Sequence, residues 1–180
     1  MSPERERETV IALLDAAVLR LAESVDERLI PPEGAAFAYA IRGARDRNGA
    51  ASVPGGIGMA AGKARVTGAS MFGRDDPAVR AILTAMKFDQ SVRSAAILRY
   101  SDRVLQVLED DLFLECASFS ASRDPKGIDT MDWGIAFCCR EGIPDVIYEK
   151  TAAGPASRLV LFGEDPDDVA SNIIICSNRI

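Results

Sequence analysis

A glycine turn that leads into a helix carries the most suggestive charged groups of the chain. In the segment SMFGRDDPAVRAIL, Asp75 and Asp76 stand at the predicted helix start. The N–H groups and dipole of a helix start attract anions, but two carboxylates repel a phosphate unless Mg²⁺ bridges them. Asp76 is a good N-cap and Pro77 a good first helical residue. The stretch therefore predicts either a ligand site, with both aspartates as candidate Mg²⁺ ligands, or a helix end closed by its own carboxylates.

Several arginines stand near the ends of predicted elements. Arg42 and Arg45 follow the first strand, Arg80 lies in the helix after the glycine turn, and Arg93 and Arg99 flank a later strand. A guanidinium matches the geometry of phosphate oxygens, so arginines at strand ends suit a phosphate-bearing ligand. Surface ion pairing with the many carboxylates is the alternative for each of them.

The segment DTMDWG contains the single tryptophan of the chain, Trp133. Beside a glycine at a helix start, its ring could stack on a heteroaromatic ligand, although a tryptophan is more often part of the core. The segment PDVIYE places Asp145 before a strand and Tyr148 within it. Each is a candidate catalytic group, or else a cap or a structural hydrogen-bonding group.

The composition excludes several classes of function. The 180 residues include no histidine, which excludes Ser-His and Cys-His nucleophiles and imidazole acid–base catalysis. The net charge of −6 argues against a surface that binds nucleic acid. The four cysteines form no CxxC pair, which indicates reduced thiols in a cytoplasmic protein and no structural zinc site. We expect neither a membrane span nor a signal peptide.

Helical and strand periodicities interleave along the chain without strict alternation. The strongest helix runs over Glu4–Arg28, where apolar residues recur at i, i+3 and i+4. The polar stretch 42–56 reads as a loop, and a hairpin follows with Ala61-Gly62 near its tip. The remaining predictions are strands at 35–41, 93–100, 112–120, 144–149 and 157–163, and helices at 77–87, 101–111, 129–142 and 165–177. The last helix repeats the Asp-Pro start, at Asp165 and Pro166. This order predicts an α/β sandwich with a mixed sheet.

The order of several segments resembles a known family. The segments are IPPEGAAFAYAI, ARDRN, VPGGI, FGRDDPAVRAIL, AMKFDQSVRSAAILRYS, TMDWGIA and PDVIYE. As a set they resemble the ThiN-type thiamine-phosphate synthase domain of archaea, and the match covers nearly the whole chain. We expect residues 1–180 to form a single, stand-alone and divergent domain of this type.

The resemblance implies a fold, an activity and a set of site residues. The implied fold is a three-layer α/β/α sandwich with a mixed sheet, similar to class II aldolases. The implied reaction joins hydroxymethylpyrimidine diphosphate to thiazole phosphate and releases pyrophosphate. By position, the resemblance implies that Arg80 is catalytic. It implies ligand binding at Phe72, Gly73, Arg93, Arg99, Trp133, Asp145 and Gly154.

The departures from the family pattern share one direction. The small hydroxyl residues and the histidine after the glycine turn are replaced by Asp75, Asp76 and Pro77. Other polar positions are matched by apolar or small residues: Ala36, Gly56, Ile97, Ser120, Ala121 and Pro155. Residues that shape the backbone are kept: Pro31, Gly34, Tyr39, Gly55, Gly73, Trp133, Gly134, Asp145 and Tyr148. The pattern predicts a retained fold with a degenerate active site.

Two functional hypotheses follow. The first is a degenerate family member that binds a thiamine-related or other small phosphorylated ligand without efficient catalysis and needs no cofactor. The second is an active synthase, a transferase, rebuilt around Arg80, Arg93, Arg99 and Mg²⁺. Under both hypotheses the partner is a small molecule of the thiamine pathway, not nucleic acid or a membrane, and a homodimer is compatible with the sequence. A role as a transcriptional regulator would require a separate DNA-binding partner.

Overall fold

Residues 1–120, 130–151 and 154–180 are described by the computed structural model of the chain. Five α-helices occur in these residues: α1 Pro3–Ser24, α2 Pro77–Met86, α3 Asp102–Gln106, α4 Thr130–Cys138 and α5 Pro166–Ser177. The α3 helix continues as a π-helical turn, Val107–Asp111. Helices long and apolar enough to cross a membrane are absent from the described ranges.

The strands of the same residues are β1 Phe37–Ala40, β2 Ala50–Ser52, β3 Ile57–Ala60, β4 Lys63–Val66, β5 Met71–Phe72, β6 Ser94–Arg99, β7 Cys116–Ser120, β8 Val146–Thr151 and β9 Gly154–Gly163. Seven of them form a sheet in the order β5-β2-β1-β6-β9-β8-β7, while β3 and β4 form a separate hairpin. The β7–β8 pair is parallel and the other neighbours in the sheet are antiparallel. The predicted mixed sheet is confirmed.

The two faces of the sheet contact different helices. On β1, Phe37 and Tyr39 join a core cluster with α1 and α5, whereas Ala38 and Ala40 join a second cluster with α2 and α4. The alternation arises because successive side chains of a strand point to opposite faces. The result is the predicted three-layer sandwich, in which α1 and α5 cover one face and α2 and α4 cover the other.

The first helix is shorter than its apolar periodicity predicts. Its N-cap is Ser2, whose hydroxyl accepts the Arg5 N–H at 3.3 Å, and it ends at Ser24 rather than Arg28. Asp26 then starts a 3₁₀ turn over Glu27–Leu29, because its carboxylate accepts the Arg28 N–H at 2.9 Å. A local side-chain hydrogen bond thus competes with continued helix.

The polar stretch predicted as a loop contains structure that the sequence does not suggest. It holds a 3₁₀ turn at Arg47–Gly49 and the strand β2, which pairs with β1. The two-residue strand β5 pairs with β2 and forms one edge of the sheet. Strands this short provide too few residues for a period-two pattern to emerge. The predicted hairpin is confirmed as β3–β4, and Ala61 and Gly62 at its tip have positive φ.

Candidate active site

The helix start at Asp76 is confirmed. Asp76 is the N-cap of α2, and its carboxylate accepts the Ala78 N–H at 2.8 Å. Pro77 is the first helical residue, a position where a missing N–H costs nothing. Asp76 is 6% exposed, and burial raises the pKa of its carboxyl group above the ordinary value, although the N–H groups of Ala78 and Val79 oppose that rise. The buried carboxylate closes part of this helix end to other anions.

A cavity of about 260 Å³ lies against this helix start. Its lining comes from α2 and from the glycine turns before β1 and β3: Glu33, Gly34, Ala36, Gly55, Gly56, Arg74, Asp75, Asp76 and Pro77. The Arg74 side chain brings a positive charge to the cavity, and its buried Nε has no hydrogen-bond partner within the described residues. The cavity combines one cation and several carboxylates with walls made of backbone.

The glycine turn Gly55-Gly56 forms one wall of this cavity at very close range. Gly56 has φ +67°, and a Cβ atom added to it would lie 2.6 Å from the carbonyl oxygen of Ala35. Both features favour glycine, since side chains rarely adopt that φ and real Cβ atoms are never so close to an oxygen. The backbone itself, as well as the side chains, therefore defines this wall.

Arg80, the predicted catalytic residue, lies between carboxylates. Its Nη1 donates to Asp75 Oδ1 at 2.8 Å, and its Nε lies 3.4 Å from Asp132 Oδ2 at the start of α4. The ion pair with Asp132 joins α2 to α4 across the outer layer of the sandwich. Asp75 and Asp132 compensate the positive charge of the Arg80 guanidinium, which would otherwise be available to a phosphate. The sequence did not identify Asp132 as a partner of Arg80, because the segment DTMDWG indicated only the start of a helix.

The predicted metal ligands do not form a metal cluster. Asp75 pairs with Arg80, and Asp76 caps α2. In the part of the chain that the structure describes, no group of three Cys, Asp or Glu side chains is arranged to hold a metal ion. A Mg²⁺ ion would require ligand oxygens from substrate or water in addition to these two carboxylates.

Phe72 and Gly73 lie immediately before this helix start and at the edge of the sheet. The guanidinium of Arg7 in α1 lies 3.8 Å from the centroid of the Phe72 ring. Gly73 has φ +83°, and its N–H donates to the Arg47 carbonyl at 3.1 Å. The two residues connect β5 to the 3₁₀ turn and thereby position the start of α2.

Arg93 and Arg99 are separated from Arg80 and from each other. Arg93 precedes β6 and packs on the α1 side of the sheet, where its Nε donates to the Ala40 carbonyl at 3.0 Å. Arg99 is the last residue of β6 and lines a different cavity near the turn at Glu27–Leu29. The sequence placed these arginines at the two ends of one strand, and the structure does not bring either together with Arg80.

The remaining predicted site residues have structural contacts. Trp133 is 45% exposed; its ring stacks on Phe137 at 5.3 Å and meets Phe119 edge-on at 6.3 Å. Asp145 accepts the Glu115 N–H at 2.8 Å and so joins the starts of β7 and β8, which is the structural alternative that the sequence left open. Gly154 pairs with Thr151 at the β8–β9 turn. Asp129 and Ala121 lie outside the described residues.

Comparison with known proteins decides the family. The family model of thiamine-phosphate synthase ThiN matches residues 13–175. The chain belongs to the ThiN family. It is 26% identical over 170 residues to the bifunctional thiamine biosynthesis protein ThiDN of Methanocaldococcus jannaschii, a match that covers 93% of this chain and 40% of that protein. It is also 30% identical over 126 residues to thiamine-phosphate synthase ThiN of Methanothermobacter thermautotrophicus, with 66% of each chain covered.

Solved structures agree with this family and with the predicted fold. The C-terminal domain of a phosphomethylpyrimidine kinase superposes with a TM-score of 0.84 at 27% identity, covering 95% of this chain and all of that domain. The l-fuculose-1-phosphate aldolase of Thermus thermophilus superposes with a TM-score of 0.52 at 10% identity, covering 96% and 89% of the two chains. The aldolase likeness shows the fold alone, and the predicted class II aldolase-like sandwich is confirmed.

Several of the positions interpreted from the sequence as departures from the family pattern lie close together in the structure. Ala36, Gly56 and Pro77 all line the cavity at the start of α2. Ile97 is adjacent, because its N–H donates to the Ala36 carbonyl at 2.9 Å. Residues from three separate segments thus meet at one cavity. Arg74 and Glu33 also line it and were missed, since neither carried a motif that distinguished it from a surface residue.

Proposed function

We propose that this ThiN domain binds a thiamine-related or other small phosphorylated ligand at the α2 cavity, without efficient synthase catalysis. The observation that carries the proposal is the pairing of Arg80 with Asp75 and Asp132. Asp75 lines the cavity and pairs with Arg80, so a diphosphate that reached Arg80 from this cavity would have to compete with two carboxylates for one guanidinium. Each pair of like charges about 5 Å apart costs on the order of 3 kcal/mol at an effective dielectric near 20.

The glycine wall supports the same proposal. The family pattern has an arginine where this chain has Gly56, and the close approach to Ala35 leaves no space for a Cβ atom. With Ala36 and Ile97 in place of amide side chains, the cavity offers few polar groups to a transferring diphosphate. A reaction that loses pyrophosphate depends on stabilising the leaving charge, so the loss of donors lowers turnover more than binding.

The carboxylates at this helix start suit a ligand that carries a cation. The thiazolium ring of thiamine phosphate is such a group, and it would be attracted by Asp75 while its phosphate contacts Arg74. A precursor diphosphate, which carries only negative charge, receives no such compensation. The proposed ligand is therefore closer to the product of the family reaction than to its diphosphate substrate.

The proposal is tested by measuring binding and turnover on the same protein. Thiamine phosphate should raise the melting temperature, while pyrophosphate release from both precursors and Mg²⁺ should stay at the level of an Arg80→Ala variant. The thiamine-phosphate synthase ThiN of M. thermautotrophicus serves as the positive control for turnover. Turnover comparable to that of the relative would instead support the alternative, an active synthase in which Mg²⁺ binds at Asp75 and Asp76.

A charge-neutralising variant sharpens this test. Asp75→Asn removes one carboxylate from Arg80, so inorganic pyrophosphate should bind about tenfold more tightly than to the parent. Asp110→Asn is the matched control. Asp110 is exposed and does not line the cavity, and its substitution removes the same negative charge. Equal gains in the two variants would mean that net charge, and not the helix start, governs anion binding.

A further inference from the structure

Two adjoining cavities open on the opposite face of the sheet, between α1 and the start of α5. Their volumes are about 480 and 300 Å³, and both are lined by Tyr39, Arg42 and Arg93. Tyr39 belongs to the core cluster on the α1 side, whereas Arg80 lies in α2 on the other side. These cavities are therefore separate from the site considered above.

Tyr39 brings a hydrogen-bond donor without a protein partner to this pocket. It is 5% exposed, and its hydroxyl makes no hydrogen bond to any residue in the ranges that the structure describes. Burial raises the pKa of the phenol, so the hydroxyl keeps its proton at neutral pH. A hydroxyl that lines a cavity without a protein partner is free to donate a hydrogen bond to a ligand.

Arg93 and Arg42 supply positive charge on the same side of the pocket. Arg93 is held over the Tyr39 ring, 4.8 Å from its centroid, and Nη2 lies 3.7 Å from a Glu6 carboxylate oxygen. The Arg42 guanidinium makes no hydrogen bond or ion pair with a described residue, although the backbone N–H of Arg42 donates to Glu6. One guanidinium is thus fixed in place and the other is available to a ligand.

An unpaired carboxylate also lines the larger cavity. Glu164 lines the larger cavity and makes no ion pair or hydrogen bond with a described residue. Its neighbour Asp165 is already engaged, because that carboxylate caps α5 by accepting the Asp168 N–H at 2.9 Å. Arg42 and Glu164 line one cavity without pairing with each other, so the cavity presents both an unpaired cation and an unpaired anion.

We propose that this pocket binds a small zwitterion, whose oxyanion contacts Arg42, Arg93 and the Tyr39 hydroxyl and whose protonated amine contacts Glu164. The oxyanion is a phosphate monoester or a carboxylate, since both accept hydrogen bonds from guanidinium and phenol groups. The pocket is independent of the function proposed for the α2 cavity.

Calorimetric titration at fixed ionic strength tests the pocket with three probes: O-phosphoethanolamine, ethyl phosphate and β-alanine. O-phosphoethanolamine should bind with a dissociation constant on the order of 1 mM, and about threefold more tightly than ethyl phosphate, which lacks the amine. Binding of β-alanine at similar strength would identify the oxyanion as any carboxylate or phosphate. Its failure to bind would restrict the oxyanion to phosphate.

Variants of the lining residues separate the two ends of the ligand. Arg42→Gln should weaken O-phosphoethanolamine and ethyl phosphate alike by about tenfold, and Tyr39→Phe should weaken both by about fivefold. Glu164→Gln should weaken only O-phosphoethanolamine, to the level of ethyl phosphate. The matched controls Arg45→Gln and Glu141→Gln change the same charges on exposed side chains outside the pocket.

Three results would overturn the inference. The first is no heat of binding for any probe at about 20 mM, which exceeds the expected dissociation constant many-fold. The second is equal weakening by Arg42→Gln and Arg45→Gln, which would indicate non-specific charge attraction. The third is loss of binding in Arg74→Gln with none in Arg42→Gln, which would place the probe in the α2 cavity, lined by Arg74, and leave the proposed function standing.

Discussion

Two helices of this ThiN domain begin with the same dipeptide, yet their surroundings differ. Asp76-Pro77 starts α2 and Asp165-Pro166 starts α5, and in each case the aspartate accepts an N–H of the first turn. Each aspartate also follows a second acidic residue, Asp75 or Glu164, and each pair lines a cavity. The two cavities lie on opposite faces of the sheet.

The difference lies in which charges are already compensated. At the start of α2 the N-cap is buried and Asp75 pairs with Arg80 at 2.8 Å. At the start of α5 the carboxylate of Glu164 makes no ion pair with a described residue, and neither does Arg42, which lines the same cavity. The same local sequence thus produces a helix start at which the second acidic residue is paired with an arginine on one face, and a helix start at which it is unpaired on the other.

The largest expected effect comes from the glycines that line the two cavities. Gly56 and Gly43 share φ +67°, but an added Cβ would meet the Ala35 carbonyl at 2.6 Å in the first case and no atom within 4 Å in the second. Gly56→Ala should lower the free energy of unfolding by about 3 kcal/mol and Gly43→Ala by about 1 kcal/mol. Urea denaturation measures both. Equal losses of unfolding free energy in the two variants would show that the backbone around Gly56 and Ala35 relaxes to accommodate a Cβ atom.

A smaller difference is expected between the two N-caps. Asp76→Ala leaves a buried N–H without an acceptor and should lower the free energy of unfolding by about 2 kcal/mol. Asp165→Ala should cost about 1 kcal/mol, because water can reach that more exposed helix end. Thermal and urea unfolding of the two variants provide the comparison. A larger loss for Asp165→Ala would contradict the role assigned to burial.

The pH dependence of the α2 start provides a third test. The folded pKa of Asp76 is raised above its ordinary value of 3.8, so the folded state holds this proton more tightly than the unfolded state. Its contribution to stability is therefore present below pH 3.8 and is lost as the pH rises through the folded pKa.

An Asp76→Asn variant isolates this contribution, because asparagine also caps helices and carries no charge. The stability of Asp76→Asn relative to the parent should be greatest at neutral pH, by about 1 kcal/mol, and should shrink as the pH falls through the folded pKa. Urea unfolding across this pH range measures the difference. A constant difference between the two proteins would mean that the Asp76 carboxyl titrates normally.

The smallest effect distinguishes the two arginines. Arg80→Gln breaks ion pairs with partly exposed partners and should cost about 1 kcal/mol at most. Arg42→Gln should change the free energy of unfolding by no more than about 0.5 kcal/mol, as is usual for an unpartnered surface residue. Parallel denaturation in low and high salt measures both, and salt should reduce only the Arg80 effect. A cost for Arg42→Gln that vanishes in salt would reveal a partner for Arg42.

Much of the fold follows from local patterns in the sequence. The starts of α2 and α5 were predicted from Asp-Pro pairs, and the hairpin tip from Ala61-Gly62, because capping and turn chemistry act over a few residues. The short strands β2 and β5 were missed, since their two or three residues are defined by pairing with β1 and with each other. The C-terminal end of α1 was wrong because Asp26 makes a competing local hydrogen bond.

The sequence by itself determined the family, the three-layer sandwich and the starts of α2 and α5. Only the tertiary structure decided which charged residues meet. Arg80 and Asp132 are 52 residues apart, yet packing of α2 against α4 pairs them. Arg93 follows Arg80 closely in sequence, but the intervening turn carries it to the other face of the sheet. Capping depends on residues that are neighbours along the chain. Charge compensation depends on the layer of the sandwich in which a charged side chain lies, and the layer is fixed only when the sheet and its helices have packed together.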